Sequence, residues 1–524
     1  MMHFCGRYIC FGGGQPKEKR QKGECPLSSP NGFGDARLPS DRLEENVRYI
    51  GNLFAGDDTL QVRTLSSPSD PAARFVLVYI DGMVNNKLLN EDVIRPLLQH
   101  RFKKGESLTA AVAQSVTLAD SAECTDQVEK IVQGIVYGDT VLFAEGCADA
   151  VVMNTKGWKM RSITEPESER VLRGPREGFN ESLLTNLTML HRKLRTPDLK
   201  MRYMTFGRRT RTKACVCYLN SVVNRGALEE LQRRLKKINI DGVLDTNYLV
   251  EEIRDSPYSA VKTVGVTERP DVVAGKLLEG RVALFLDGTP DVLTVPHLFV
   301  EHFQSDEDYY LNFMFASIGR FLRILAFTLS TSTPAIYIAM VNFHQEMLPT
   351  PLLISISSAR RGVPFPTALE ITFMLIVFEM LRESGARMPG IMGQTLSIVG
   401  ALVVGQAAVD AKLVSAPIII IVALTGITGL MVPRLKGYVI LHRFALLFFS
   451  CVLGLYGYLL GELALLAGLF GMSSFGVPIM ADTYAHTAQD YKDLYYRVPW
   501  KDMILRPQFL SRNKVRQTGG GRAK

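Results

Sequence analysis

The stretch from Ala368 to Pro433 constrains this chain most. It runs for about 65 residues, its charges are confined to Glu370, Glu379, Arg382, Glu383, Arg387, Asp410 and Lys412, and Gly390, Gly393, Gly400, Gly405, Pro417, Gly426 and Gly429 punctuate it. A soluble core has no use for several apolar blocks of about 17–21 residues in succession, whereas a bilayer requires them. A charge inside such a block is costly, so it pairs with another charge or lines an interior path. The sequence therefore predicts a membrane protein whose membrane part does more than anchor it.

At 524 residues the chain exceeds one domain. Its mean hydropathy of +0.09 averages two unlike regions. Residues 1 to about 290 are charged and rich in turn residues, and from about 311 to 475 Leu, Ile, Val, Ala, Gly and Phe dominate. Met1–Phe11 is short, contains Arg7 and lacks the apolar core of a secretory signal. Residues 1–45, with Lys17, Lys19, Arg20 and Lys22 beside Gly and Pro, read as a disordered basic tail. Residues 482–524 carry nine Lys/Arg against four Asp, which predicts a cytoplasmic C-terminal tail close to anionic lipid. The net charge of +8 is concentrated in such tails and is no nucleic-acid signature. The eight cysteines are scattered; Cys215 and Cys217 share one face of a strand-like run and read as buried thiols.

The soluble half contains a repeat. Phe75–Asn85 resembles Ala214–Asn224, 139 positions on, with Tyr79 matching Tyr218 and Asp81 matching Asn220. Each run predicts a buried strand, a polar turn and then a helix, about Glu91–Gln99 in the first and Leu228–Lys237 in the second. Leu142–Asp149 resembles Leu284–Asp291 at an offset of 142, and Glu145-Gly146 and Asp287-Gly288 fit two-residue hairpin turns. Two α/β subdomains follow, 46–160 and 198–295, separated by a charged linker or helix at 161–197. Within that linker Arg173, Arg176 and Glu177 are candidates for a subunit contact, because ordered Arg and Glu form complementary pairs across symmetric interfaces; a solvated strip is the simpler reading. The sequence has no phosphate loop, nucleophile elbow or metal-spaced His set, so no catalytic residue, metal or cofactor is assigned and the chain does not read as an enzyme.

Val295–Tyr310 is amphipathic and suits the membrane surface or a loop leading into the membrane. The first span is expected at Ala316–Val341, with Arg320 and Arg323 near its start and Pro334 inside it. Pro349–Pro366 is too interrupted by Pro for a plain span and reads as a re-entrant or surface segment. Further spans are expected at Ala368–Leu381, Ile391–Val409 and Val414–Val432. Glu370 and Glu379 are nine apart, on opposite faces of a straight helix, so one is expected to pair with an Arg such as Arg323. Gln394 and Ser397 add polarity that lines a pore or bonds a neighbour, while Gly393, Ser397 and Gly400 offer a small-residue packing face. Val439–Gly471, about 32 residues, is too long for one span and predicts two short helices or a span plus a re-entrant piece, with Gly457 and Gly461 as close-contact positions. The domain at 296–475 then has four or six membrane helices, and 476–524 is the basic tail.

Val76–Asn86, Arg173-Gly-Pro-Arg-Glu-Gly-Phe179, Pro296–Tyr310, Phe378–Gly390 and Gly400–Asp410 together resemble the A-type subunit of the spore germination GerA family, over residues 46–500. The resemblance implies a nutrient germinant receptor in the inner membrane of a bacterial endospore, multi-pass with both termini cytoplasmic. Its partners would be a transporter-like B subunit, a lipoprotein C subunit, membrane lipid and further copies of itself, as a pentamer. It further implies a ligand-gated cation channel; the intramembrane polar residues read above, Glu370, Glu379, Gln394, Ser397 and Arg323, are the sequence's own candidates for an ion pathway or intramembrane pairing. The alternatives are a non-conducting scaffold for the B and C subunits, and the family's germination-signal-amplifying paralogue made with the dipicolinate-channel proteins. A secondary transporter would need inverted membrane repeats, and the only repeat lies in the soluble half. The expected fold is an α/β cytosolic region of two similar subdomains followed by an all-α polytopic membrane domain.

Overall fold

The structure, a computed structural model, describes residues 36–67, 70–102, 107–117, 121–157, 169, 171, 173–387, 400, 403–484, 490–507, 509–511 and 515–516. The soluble half opens with helix α1 (Leu43–Leu53) and five strands, β1 (Leu60–Ser67), β2 (Asp70–Ile80), β3 (Ala122–Thr125), β4 (Thr140–Ala144) and β5 (Ala150–Met153), with α2 (Val128–Tyr137) preceding β4. The second unit repeats this plan. It has α3 (Leu183–Lys193), β6 (Leu199–Phe206), β7 (Thr212–Leu219), α4 (Arg225–Leu235), β8 (Gly265–Thr267), α5 (Pro270–Leu278), β9 (Val282–Leu286) and β10 (Val292–Val295). The sheets have matching orders, β1-β2-β4-β5-β3 and β6-β7-β9-β10-β8. Every neighbouring pair is antiparallel. Even the register repeats: Leu60 faces Ile80 as Leu199 faces Leu219.

The central strands are buried along their length because helices cover both faces. In β7, Ala214, Val216 and Tyr218 enter one core cluster, while Cys215, Cys217 and Leu219 enter the other, as the two-residue period of a strand requires. Both cysteines are fully buried. The matched asparagines of the repeat do the same job. Asn85 accepts from the backbone N–H groups of Lys87 and Leu88, and Asn224 from that of Ala227, so each caps the helical run after its central strand.

Two expectations change in detail. Gly146 and Gly288 do take positive φ, 74° and 90°, but the paired residues nearest each turn are Phe143–Ala150 and Leu284–Leu293, so the loops are longer than two residues. The charged stretch 161–197 holds α3, whose Leu183, Leu187 and Leu190 belong to the second core, so that unit begins before residue 198.

The helical half starts with α6 (Phe313–Ile338), extended by a wider turn at Ala339–Phe343, and continues with α7 (Thr350–Ala359), α8 (Thr367–Arg387), α9 (Ala416–Leu430) and α10 (Lys436–Phe470). Among the described residues, two helical stretches are long and apolar enough to cross a membrane, Phe313–Phe343 and Pro433–Phe470. Four to six spans are not established, because α7 and α9 are short and the 391–409 segment is largely outside the described residues. α7, inside the Pro-interrupted segment, has 10 residues, too few for a plain span.

α10 is broken at Gly454, whose φ of 60° and ψ of −137° are non-helical. A straight helix would separate His442 and Glu462 by about 30 Å. Instead His442 Nε2 and Glu462 Oε2 are 3.0 Å apart. Thus α10 is a hairpin of two short antiparallel arms. Gly457 and Gly461 make the close contact: a Cβ on Gly457 would overlap the Phe449 carbonyl, and one on Gly461 would lie 2.9 Å from the Phe449 ring. A glycine serves α8 and α9 in the same way, since a Cβ on Gly426 would overlap the Phe378 ring.

Beyond α10 the chain returns to the soluble half through a small hairpin, β11 (Ser473–Ser474) and β12 (Val477–Pro478). Phe475 at its tip is 1% exposed within the second unit's core, under the Arg234 guanidinium. Further on, Phe509 O accepts from Asn224 Nδ2 at 3.1 Å and Ser511 Oγ donates to Val222 O at 3.1 Å. The basic tail is accordingly not wholly free: Arg506 donates to Leu278 O and Arg516 pairs with Glu279 at 2.9 Å.

Candidate coupling site between the soluble half and the helices

A dense set of paired charges lies at the seam between the two halves. The 295–310 stretch is the loop that leads into the helical half. It forms two short 3-10 turns, Phe299–Phe303 and Asp306–Tyr309, whose apolar residues Phe299 and Phe303 pack on Phe327 of α6 and Tyr438 of α10. Its acids turn inward to buried cations, since a buried charge is tolerated only when paired.

Three connected clusters result. In the first, Glu301 accepts from Lys276 Nζ at 2.5 Å, from Arg281 and from the Leu298 amide at 2.6 Å. Burial works to raise the Glu301 carboxyl, but Arg281, His297 and Lys276 outweigh it and hold it well below its ordinary value. His302 stacks edge-on against His297 at 4.7 Å, and burial, reinforced by His297, keeps it well below the usual imidazole range. In the second cluster, Arg434 bridges Glu169 at 2.9 Å, Asp306 at 3.1 Å and the Gln304 carbonyl at 3.2 Å. Arg269 joins Asp271 at 2.8 Å and the Pro175 carbonyl at 2.9 Å. In the third, Asp308 takes Arg320 at 3.0 Å and Arg323 at 2.5 Å, and Arg320 also holds Asp493 at 2.9 Å. Tyr309 donates to Asp493 at 3.0 Å. A cavity of about 450 Å³ opens beside these clusters, lined by Asp271, Lys276, Glu279, Tyr309, Arg434 and Trp500 among others.

The candidate membrane residues are placed as follows. Arg323 is committed to Asp308 at the start of α6 and does not pair with Glu370 or Glu379. Glu370 is 1% exposed; its Oε2 accepts from the Ser415 amide at 3.0 Å, at the N-terminus of α9, with Arg360 3.7 Å away. Glu379 meets Arg382 at 2.6 Å and Arg443 at 3.1 Å. Arg443 also donates through Nε to the Ser330 carbonyl at 2.8 Å. That carbonyl is available because Pro334, four residues on, has no N–H to offer it. Sequence reasoning missed Arg443, and Pro334 was the signal that pointed to it. Gln394 and Ser397 lie outside the described residues. Glu177 pairs with Lys193 at 3.0 Å, and Arg173 and Arg176 lie at the surface. Between Arg173 and Arg176, Gly174 has φ 132° and lies so close to Tyr310 that a Cβ would stand 2.7 Å from the ring.

The seam draws on two of the stretches that carried the sequence resemblance, Arg173–Phe179 and Pro296–Tyr310, and a family profile of Bacillus/Clostridium GerA spore germination proteins matches residues 48–509. The chain belongs to the GerA family. Spore germination protein KA of Bacillus subtilis (strain 168) is 38% identical over 483 residues, 92% of this chain and 89% of that one. The uncharacterized membrane protein YfkQ of the same organism is 39% identical over 475 residues, 90% of this chain and 92% of that one. The crystal structure of the N-terminal domain of the A subunit of the Bacillus megaterium spore germinant receptor GerK3 covers 50% of this chain and 98% of its own, with 29% identity and a TM-score of 0.40. In this GerA-family chain the profile spans both halves, so the seam lies inside the family unit.

Proposed function

We propose that this chain is the A-type subunit of a nutrient germinant receptor in the spore inner membrane, working with B and C subunits, and that its copies assemble into a ring whose membrane helices gate a cation path. The observation that carries the reading is the seam. Arg320, Arg323 and Arg434, from the helical half, are each held by acids of the connecting loop or the soluble half. A shift between soluble domains in a ring then moves α6 and α10 with it. Both ends of the helical half, α6 at its start and α10 at its close, lie against the second α/β unit, which supports an even number of crossings with both termini cytoplasmic. Surface-lying Arg173 and Arg176 support a role in the subunit contact.

The test is nutrient-triggered potassium efflux from liposomes holding the chain with its partners. Arg434→Lys keeps the charge but lacks the planar fork that reaches Glu169, Asp306 and the Gln304 carbonyl together. Efflux is expected to fall while the three subunits still copurify; unchanged efflux overturns the coupling. A second reading, a non-conducting scaffold, is favoured by the engagement of Glu370 and Glu379 within the chain. Substituting Glu370, Glu379 and Gln394 separates the two: altered conductance with intact assembly supports the channel, and unaltered conductance the scaffold.

A further inference from the structure

The segment after the last helix presents aromatic side chains in an unusual way. From residue 493 to 497 it runs alongside the first two turns of α6. The Arg497 amide donates to Ser317 Oγ at 3.0 Å, Arg497 Nη1 donates to the Leu311 carbonyl at 2.9 Å, and Asp493 holds Arg320. These bonds fix its depth relative to the helix. Leu494 and Arg497 turn inward and are each 4% exposed, whereas Tyr495, Tyr496 and Trp500 stand 45%, 48% and 47% exposed. Next to them the outer surface of α6 is apolar and more open still, with Met314 and Phe315 at 64% and Phe321 at 63%. Exposed Lys501 adds a cation at the same level. Tyr and Trp combine an apolar body with a polar tip, and the layer that satisfies both is the boundary between hydrocarbon and water.

We propose that Tyr495, Tyr496 and Trp500 form an interfacial collar that lies in the phospholipid headgroup layer around the start of α6. The C-terminal segment thereby seats the ion-paired seam on the bilayer surface. The inference rests on the reading of α6 as a membrane span, and the occupant follows from continuity: the collar prolongs the apolar exterior of that span at its water-facing end. Lys501 then meets lipid phosphate.

The chain's two tryptophans, Trp158 and Trp500, make the test direct. The full-length Trp158→Phe protein, reconstituted in phosphatidylcholine–phosphatidylglycerol vesicles, reports from Trp500 alone. A nitroxide on the lipid headgroup is expected to quench it about twofold more than a nitroxide at the acyl-chain end, as for other interfacial aromatics. Tyr495→Trp in a protein with both native tryptophans changed to Phe should give the same order, away from the cavity that Trp500 also lines. Leu325→Trp in that background, exposed on the outer face of α6 and about 7.5 Å beyond Arg320 along the helix, should show the reverse order if α6 crosses the bilayer. Quenching of Leu325→Trp without quenching at 495 or 500 overturns the collar and leaves the span intact. Stronger quenching of 495 and 500 by the acyl-end label also overturns it. No quenching at any of the three positions overturns the membrane reading and the collar with it.

Discussion

Asp308→Asn offers the sharpest test of the seam. Asp308 is 1% exposed, and its carboxylate compensates two guanidinium groups, Arg320 at 1% exposure and Arg323, whose side chain is 17% exposed. It also accepts from the Ser305 amide at 3.1 Å, which closes the 3-10 turn. Asparagine keeps the size and one acceptor but removes the charge. Arg320 retains Asp493; Arg323 is left with only the Phe303 carbonyl among the partners described for it. Breaking a buried pair from one side costs about 3–5 kcal/mol, because the remaining charge stays desolvated. An exposed pair would cost at most about 1 kcal/mol. Denaturant unfolding of the detergent-purified full chain, followed by proteolysis within residues 295–312, measures the difference. A loss near 3–5 kcal/mol localised to the seam is expected. A loss below about 1 kcal/mol would refute the argument, since it would mean that water reaches the cluster and no force is carried across it.

Other predictions follow from the same geometry. Gly454→Val places a β-branched side chain at φ 60° with its Cβ 2.8 Å from Phe343, so the α10 hairpin should open; a His442→Cys/Glu462→Cys pair should cross-link readily in the parent and poorly in the variant. Gly426→Val should separate α8 from α9 and cost about 1–3 kcal/mol by overpacking against Phe378, read as a lowered thermal midpoint. His191, buried at the contact between the two α/β units and 3.3 Å from Thr59, is lowered to about 4 by burial. Its neutral form is the folded one, so the stabilisation is complete above the unfolded value near 6.5 and declines as pH falls from there toward 4, by up to about 3 kcal/mol. His191→Gln should flatten that part of the stability–pH curve, and an unchanged slope would place the acid sensitivity elsewhere.

What the sequence made legible was whatever depends on neighbours along the chain. The repeat was visible because a buried strand followed by an Asn-capped helix leaves the same local pattern twice, at Asn85 and at Asn224. The length of Val439–Gly471 implied a break, and the Gly457/Gly461 spacing implied a close contact; both are met within one hairpin. Partners chosen across long separations were not legible. Arg323 takes Asp308 rather than a glutamate of α8, because the loop that delivers Asp308 folds under α6. Arg443 reaches Glu379 through a carbonyl vacated by Pro334, and only the packing of three helices brings those groups together. That basic residues of the C-terminal tail bond to the second unit was not legible either, because nothing local shows that Leu278, Glu279 and Trp500 await them.

The return of the chain after α10 also sets an order of assembly. The second α/β unit is completed by residues that lie beyond α10, the last helix of the helical half among the described residues: Phe475 enters its core, and Ser511 closes on Val222. The first unit's core clusters are drawn from residues before 157. Its twin gains the Phe475 ring and the Ser511 contact only after all the intervening helices have been synthesised, so its last core contacts join residues from the two ends of the helical half.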